Sequence, residues 1–334
     1  MTIKQDDTRS KQRFVVLGTG FFLLFITMFF SISTGAVHVS FPEITSVFMG
    51  AMDGEAYRII YLLRLPRTIV AGLVGANLAL AGCILQGVLR NPLADPGIIG
   101  VSSGAGLFAM LLMVLVPEQT ILVPVAAFLG AVLATGIVFL LSWERGINPL
   151  RMILAGVAVA AFFGGGMSAL MIFFPDRIQG TVAWMAGGFQ GRSWNHVRLL
   201  LPYSVLGTVG TMFFYKQLNA LQLGDEVAVG VGISVKRTRV ILIVASALLA
   251  ASAVSVAGLL GFVGLIVPHI VRLLVGSDHE YLLPCTAVYG AILVMGADTV
   301  ARTVFNPLEI PVGIFMAFLG APFFLYLLRK GKHK

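Results

Sequence analysis

Charge is what this sequence has least of. Only 11% of its 334 residues are Asp, Glu, Lys or Arg, against 58% hydrophobic, whereas a soluble domain carries about 25% charge. The shortage excludes a string of water-soluble domains, since no polar stretch is long enough to enclose a core of its own. Cysteine is nearly absent. Cys83 and Cys285 both lie in or beside apolar runs, and two thiols with no CxxC spacing make no disulfide framework. A G-x-x-x-x-G-K-[ST] phosphate loop is missing too. The one Gly-Lys pair, Gly331-Lys332, sits in the C-terminal tail, so ATP hydrolysis by that route, and enzyme activity in general, are not expected.

Metal motifs are equally scarce. There is no H-E-x-x-H, and although His269, His279 and Glu280 stand near one another, their spacing matches no ligand pattern. The expectation is a plain loop between two helices, with no metal and no cofactor. Charge inside the apolar runs is confined mainly to Asp298, four residues before Arg302. That spacing predicts an ion pair between the two near one membrane surface. A proton- or sodium-driven carrier would place several ionisable groups at mid-membrane. Their shortage argues that the driving force comes from another subunit; a stand-alone proton-coupled carrier is the alternative.

What the chain does have is apolar length. Ten runs, each of a size to cross or nearly cross a hydrocarbon core, cover Phe14–Ile32, Thr68–Leu89, Ile98–Val116, Ile121–Trp143, Met152–Phe174, Leu199–Tyr215, Val240–Ala257, Leu259–Val275, Leu282–Val300 and Val312–Leu328. The predicted fold class is an all-α polytopic membrane protein with about ten transmembrane helices. The division is a cytoplasmic N-terminus at 1–13, a single transmembrane domain at 14–328 and a cytoplasmic tail at 329–334. The first run is longer than the apolar core of a signal peptide and is read as a retained helix.

The net charge of +8 fits either nucleic-acid binding or membrane topology. Topology is favoured, because the basic residues fall between apolar runs and form no basic domain. With the N-terminus inside, only Arg58, Arg64, Arg67, Arg177, Arg192, Arg198 and Arg302 of the 23 Lys and Arg lie outside. This bias places both termini in the cytoplasm. It also leaves an anomaly: Arg64, Arg67 and Arg302 sit at helix ends on the disfavoured side.

Three local patterns stand out. Ser40-Phe41-Pro42-Glu43 reads as a capping box that opens a short interfacial helix in the first external loop. Gly156, Ala160, Gly164 and Ser168 fall four apart, and Gly258, Gly261 and Gly264 three apart, spacings that let helices pack backbone to backbone. Gly164-Gly165-Gly166 in mid-span also allows a kink. The polar loop 219–239 carries Leu223-Gly224-Asp225-Glu226, which can cap and start a short helix with its acids at the positive end, closed by Gly230 and Gly232.

The central stretch reads Arg64-Leu65-Pro66-Arg67, then uncharged residues to Leu89 that include Gln86, then Asn91-Pro92-Leu93-Ala94-Asp95-Pro96-Gly97 and Gly100-Val101-Ser102-Ser103-Gly104. Later come Leu154-Ala155-Gly156, Leu223-Gly224-Asp225-Glu226 with Ala228, Gly261-Phe262-Val263-Gly264 running to Pro268-His269, Ala297-Asp298-Thr299-Val300-Ala301-Arg302 and Pro311-Val312-Gly313. In this order the sequence resembles the permease subunits of ABC importers for iron-siderophores, haem and vitamin B12.

The resemblance implies a ten-helix permease that works as a dimer, with an identical or paralogous second subunit. The complex sits in a bacterial cell membrane on two cytoplasmic ATP-binding subunits and receives cargo from an extracytoplasmic substrate-binding (lipo)protein. It implies docking of that protein on Arg64, Arg67 and Arg302, and a cytoplasmic gate at Asn91 and Leu93. Asp95 as N-cap, with Pro96 behind it, would fix that turn. ATPase coupling falls to Leu223, Gly224, Asp225, Glu226, Ala228 and Gly232. Val231 stands where the family usually has Leu, so a smaller apolar contact is expected there. Asn148-Pro149-Leu150 falls where a second gate would lie. The expected cargo is a ferric siderophore, with cobalamin or haem as the alternative.

Overall fold

The computed structural model describes residues 2–35, 37, 39–51, 53–143, 148–305 and 308–331. Residues 332–334 of the expected tail lie outside the described residues. The described residues form fourteen helices and three short 3-10 turns. The helices are α1 Thr2–Ser33, α2 Phe41–Phe48, α3 Glu55–Leu89, α4 Val101–Leu115, α5 Val123–Leu141, α6 Pro149–Phe173 and α7 Gln179–Met185. After them come α8 Trp194–Met212, α9 Tyr215–Leu223, α10 Asp225–Gly230, α11 Val235–Ala257, α12 Val263–Val275, α13 His279–Thr303 and α14 Val312–Gly331.

Six of these are long and apolar enough to cross a membrane: α3, α5, α6, α11, α13 and the part of α1 from Lys11. The pair α8–α9, bent by 57°, makes a seventh if counted as one span, and α4, α12 and α14 supply shorter apolar helices.

Helix α3 is the axle of the bundle. It packs against α13, α11, α12 and α8, and nearly every residue from Leu65 to Leu89 is buried. Inside lipid there is little hydrophobic gain from helix association, so close backbone approach and polar bonds must supply the specificity. Both are present. A Cβ at Gly75 would overlap the carbonyl of Gly290, and one at Gly82 the carbonyl of Gly264, so glycine is what lets α3 touch α13 and α12. Asn77 donates to Ser204 at 2.9 Å and Ser252 at 3.3 Å, joining α3 to α8 and α11. Gln86 donates to the Gly264 carbonyl at 3.1 Å and accepts from Arg272 at 3.0 Å, fastening α3 to α12.

Several expectations shift. The second span was expected to begin at Thr68, after the arginine pair; α3 starts at Glu55 and passes through a π-helical stretch, Arg58–Arg64. Charge did not end the helix because the charged groups are satisfied by other elements. The polar N-terminus is helical from Thr2 onward. Helix α6 runs unbroken through Gly164-Gly165-Gly166, since an intact hydrogen-bond ladder is the cheapest state for backbone in lipid. Gly156 does pack tightly, with its missing Cβ in the place of the Ile98 carbonyl, but Gly164 and Gly165 have nothing within 4 Å.

The expected histidine loop is helical as well. His269 lies in α12, facing Phe323 at 6.3 Å, while His279 and Glu280 form the first turn of α13. Asp278 caps that turn by accepting from the Glu280 amide at 3.1 Å, and buried His279 is held by Asn219 at 2.8 Å. The capping box at Ser40 opens α2 as expected, with Glu43 accepting from the Ser40 amide at 2.7 Å.

Candidate functional site

At one end of the bundle the anomalous arginines converge. The last carbonyls of any helix lack partners and carry its negative pole. The C-terminus of α1 is such an end, and two guanidinium groups cap it. Arg64 donates to the carbonyls of Ile32 at 2.8 Å and Ser33 at 3.0 Å, and also to that of Val37. Arg302 donates to the Ser31 hydroxyl at 3.0 Å and to its carbonyl. Both side chains are buried, at 7% and 6% exposure. Their place at a helix end is thus explained inside the chain: they hold α1 to α3 and α13.

Arg67 is engaged differently. It forms a two-pronged pair with Asp298, at 2.9 and 2.8 Å, and a third bond to Glu309 at 2.9 Å. The expected Asp298–Arg302 pair is therefore replaced by Asp298–Arg67. The reason is geometric: a planar guanidinium from a facing helix can match both carboxylate oxygens at once, while the neighbour on its own helix turns to the α1 carbonyls.

These groups line an open vestibule of two adjoining cavities, about 460 Å3 and about 220 Å3 in volume, which share Arg67, Phe189, Gln190 and Arg192. Its walls include irregular backbone between α7 and α8 and between α13 and α14; the first segment is tied to the end of α11 by the Gly188 amide on the Ala257 carbonyl at 2.8 Å, and to the start of α14 by the Gly313 amide on the Gly187 carbonyl at 3.1 Å. Non-helical backbone at membrane depth is tolerated where it lines a cavity. Glu309 is subject to opposing effects. Burial would raise its carboxyl, but the hydrogen bond and charge of Arg67, helped by Gln190 and Arg302, hold it below the ordinary value.

At the opposite end, α3 stops at Arg90, which takes the left-handed conformation at φ 50°. The turn that follows is internally bonded. Asn91 accepts from the Leu93 amide at 2.9 Å, and Asp95 accepts from the Gly97 amide at 2.8 Å, with Pro96 at the first helical position. Leu93 is exposed. Asn148 caps α6 by accepting from Leu150 and Arg151.

Beside this turn stands the loop containing α10. Gly224, at φ 116°, makes the sharp corner before it, and Gly232, at φ 82°, follows it. Asp225 accepts from Arg239 at 2.8 Å and lies 3.3 Å from Arg90. Ala228 is fully buried and anchors the helix, whereas Leu223, Val227, Val229 and Val231 stay exposed, at 71%, 46%, 63% and 65%. Among the described residues, none of the clusters of His, Cys, Asp and Glu could hold a metal ion.

Sequence reasoning named residues that the fold gathers at each end, Arg64, Arg67 and Arg302 at one and the Asn91 turn and the 219–239 loop at the other, but not Gln190, Arg192 and Glu309 as members of the vestibule. One signal was available: Arg192 lies in a Gly-rich turn on the disfavoured side of the charge count, as Arg64 and Arg67 do.

The geometry can now be set beside known proteins. The profile of the FecCD transport family matches residues 23–330. The Fe(3+)-citrate import system permease protein YfmE of Bacillus subtilis is 41% identical over 308 residues, covering 92% of this chain and 92% of that protein. The cobalamin import system permease protein BtuC of Halobacterium salinarum is 43% identical, covering 81% of this chain and 73% of its own length. A solved inward-facing structure of a metal-chelate type ABC transporter superposes with a TM-score of 0.85 at 33% identity, covering 94% of this chain and 99% of that one. The protein belongs to the FecCD transport family of ABC importer permeases.

Proposed function

We propose that this chain is the membrane-spanning subunit of an ATP-driven importer for ferric chelates of the siderophore or citrate type. In this reading two permease subunits form the conduit, a pair of cytoplasmic ATPases supplies the energy and an extracytoplasmic binding protein delivers the cargo. The whole stretch 14–328 acts as one permease domain, with both termini in the cytoplasm. The vestibule with Arg64, Arg67 and Arg302 faces the binding protein, the turn with Asn91 and Leu93 is the inner gate, and the loop with Leu223, Gly224, Asp225, Glu226, Ala228 and Gly232 seats in the ATPase.

The observation that carries the reading is the surface of α10. Two aliphatic side chains, Val227 and Val229, stand exposed on this short helix, with Leu223 and Val231 exposed at its two ends, and the helix is fixed to the body by Ala228 and Asp225. An apolar patch in a polar loop is stable in water only as an interface. Glu226 stands exposed beside it, which disfavours contact with anionic lipid and favours a protein cleft.

The test is reconstitution of the permease with its ATPase and binding protein in liposomes. ATP-dependent uptake of ferric citrate or a ferric hydroxamate is expected, with none in the absence of nucleotide. Accumulation driven by a pH gradient without ATP would reject the reading in favour of a self-sufficient carrier. The 43% identity to a cobalamin permease supports a second cargo, so cobalamin belongs in the same assay; preferential cobalamin uptake would replace the ferric assignment and leave the architecture standing.

A further inference from the structure

At the end of the bundle that carries α10, several elements meet around one side-chain amide. Asn219 stands on α9, shortly before the Gly224 corner that leads into α10. Its Nδ2 donates to the Asp278 carboxylate at 2.7 Å, and its Oδ1 accepts from the His279 amide at 2.9 Å. These two bonds fix which way the Asn219 amide faces. The His279 ring, 2.8 Å from the same oxygen, must therefore donate through Nδ1. Asp278 in turn lies 3.6 Å from Arg13 of α1. The Arg13 Nε donates to the Val275 carbonyl at the end of α12 at 3.0 Å, and its guanidinium lies 4.8 Å over the Tyr281 ring of α13. Asn219 thus holds the first turn of α13 directly and reaches α1 through Asp278.

Capping α13 does not by itself call for this arrangement. Asp278 already accepts from the Glu280 amide. The imidazole is fully buried, and with Nδ1 as the donor its Nε2 is left without a partner. A buried acceptor with no bond is destabilising, and an apolar side chain in this place would avoid it. What the imidazole adds is a second bond to α9. The fit around it is close: a Cβ on Gly87 of α3 would stand 2.9 Å from Leu218 of α9 and 3.1 Å from His279 Nε2. Helix α9 is set off from α8 by the 57° bend, and Gly224 alone separates it from α10. A displacement of α10 therefore acts on a short helix tied to α13 by Asn219. Hydrogen-bonded, packed elements of this kind carry coupling between distant sites.

We infer that Asn219 is a positioning residue for transport, the joint that carries movement of α10 into the first turn of α13 and into α1. This rests on the importer reading above, in which α10 seats in the ATPase, and names where that movement enters the bundle.

The test uses the full permease–ATPase complex with its binding protein in liposomes. The probe is ferric citrate or a ferric hydroxamate, whichever the wild type imports, and iron uptake and ATP hydrolysis are measured together. Asn219→Ala is expected to keep hydrolysing ATP while iron moved per ATP falls at least about fivefold, the lower end of ordinary coupling between sites. Asn77→Ala is the control. It also removes side-chain bonds between buried helices, from α3 to α8 and α11, and is expected to keep the wild-type ratio of iron to ATP. Asn219→Asp sets a second carboxylate against Asp278 and is expected to uncouple more fully. Combining it with Asp278→Asn restores an amide–carboxylate pair and is expected to regain part of the ratio. His279→Leu removes only the ring bond and is expected to fall between wild type and Asn219→Ala. It decides the matter if Asn219→Ala does not assemble: a wild-type ratio in His279→Leu then overturns the proposal. ATP-driven uptake by the wild type with the same ratio in Asn219→Ala as in Asn77→Ala makes the joint a structural tie and rejects it alone. Uptake by the wild type under a pH gradient without ATP rejects the importer reading and the joint with it.

Discussion

Asp298 shows how much one residue depends on a partner far away in sequence. Its carboxylate is 3% exposed and depends on Arg67 for neutralisation. Removing one member of a buried pair leaves the other charged and dry, which costs about 3–5 kcal/mol. Asp298→Asn is therefore expected to lower the unfolding midpoint in detergent by several degrees. Glu309 binds the same guanidinium but is 35% exposed, and solvent-exposed pairs contribute about 1 kcal/mol or less. Glu309→Gln is expected to shift the midpoint little at neutral pH; equal losses in the two variants would contradict this partition. Acid should erase even that small difference. The Glu309 carboxyl is held below its ordinary value, so its contribution is complete above about pH 4.3 and is lost as pH falls through the lowered value. Thermal midpoints of wild type and Glu309→Gln are expected to converge once the pH has fallen through that lowered value. The identity of the Asp298 partner was not legible in the sequence, because a helical ladder points to Arg302 and only the packing of α3 on α13 supplies Arg67.

Among the elements, α3 was the most legible. Its run without charge from Thr68 to Leu89 marks a helix that meets protein on all sides. Its start was not legible, because Arg64 and Arg67 look like an end until their acceptors on α1, α13 and the loop before α14 are known. The loop helix α10 was legible as a short helix from its Gly and acid pattern, but the roles of its two acids were not. Asp225 joins Arg239 to Arg90, the residue that ends α3; Glu226 has no such ion pair described and is exposed. Helix α10 is thereby joined to Arg90, which leads into the turn that holds Asn91 and Leu93. Asp225→Ala is expected to cost about 1 kcal/mol in stability and to leave nucleotide hydrolysis running with reduced transport, measured as chelate moved per ATP. Glu226→Arg is expected to weaken ATPase association while the thermal midpoint holds. The reverse pattern would mean that Asp225, not Glu226, meets the partner.

For the molecule as a whole, glycine separates surfaces already occupied from surfaces still open. The small-residue ladder on α6 looked uniform in sequence. In the fold Gly156 is jammed against the Ile98 carbonyl, while Gly164, two turns on, has nothing within 4 Å. Elsewhere along the helix the side chains of Leu154, Val157 and Phe162 are exposed, at 60%, 63% and 77%, and Val157 lies on the same face as Gly164 two turns before it. A monomer in lipid gains nothing from presenting a glycine to acyl chains, whereas a second helix can come close over it. In the two-subunit reading proposed above, helix α6 is thus the element whose free face best suits the second permease subunit. Gly156→Ala is expected to disrupt folding of the single chain, read as loss of a monodisperse peak in detergent. Gly164→Leu is expected to leave the fold and thermal midpoint of the subunit intact and to shift the permease from dimer to monomer by native mass. If Gly164→Leu stayed dimeric and transported normally, the subunit contact would have to lie on another exposed helix, and α1, whose membrane-crossing part is buried as little as that of α6, would take its place.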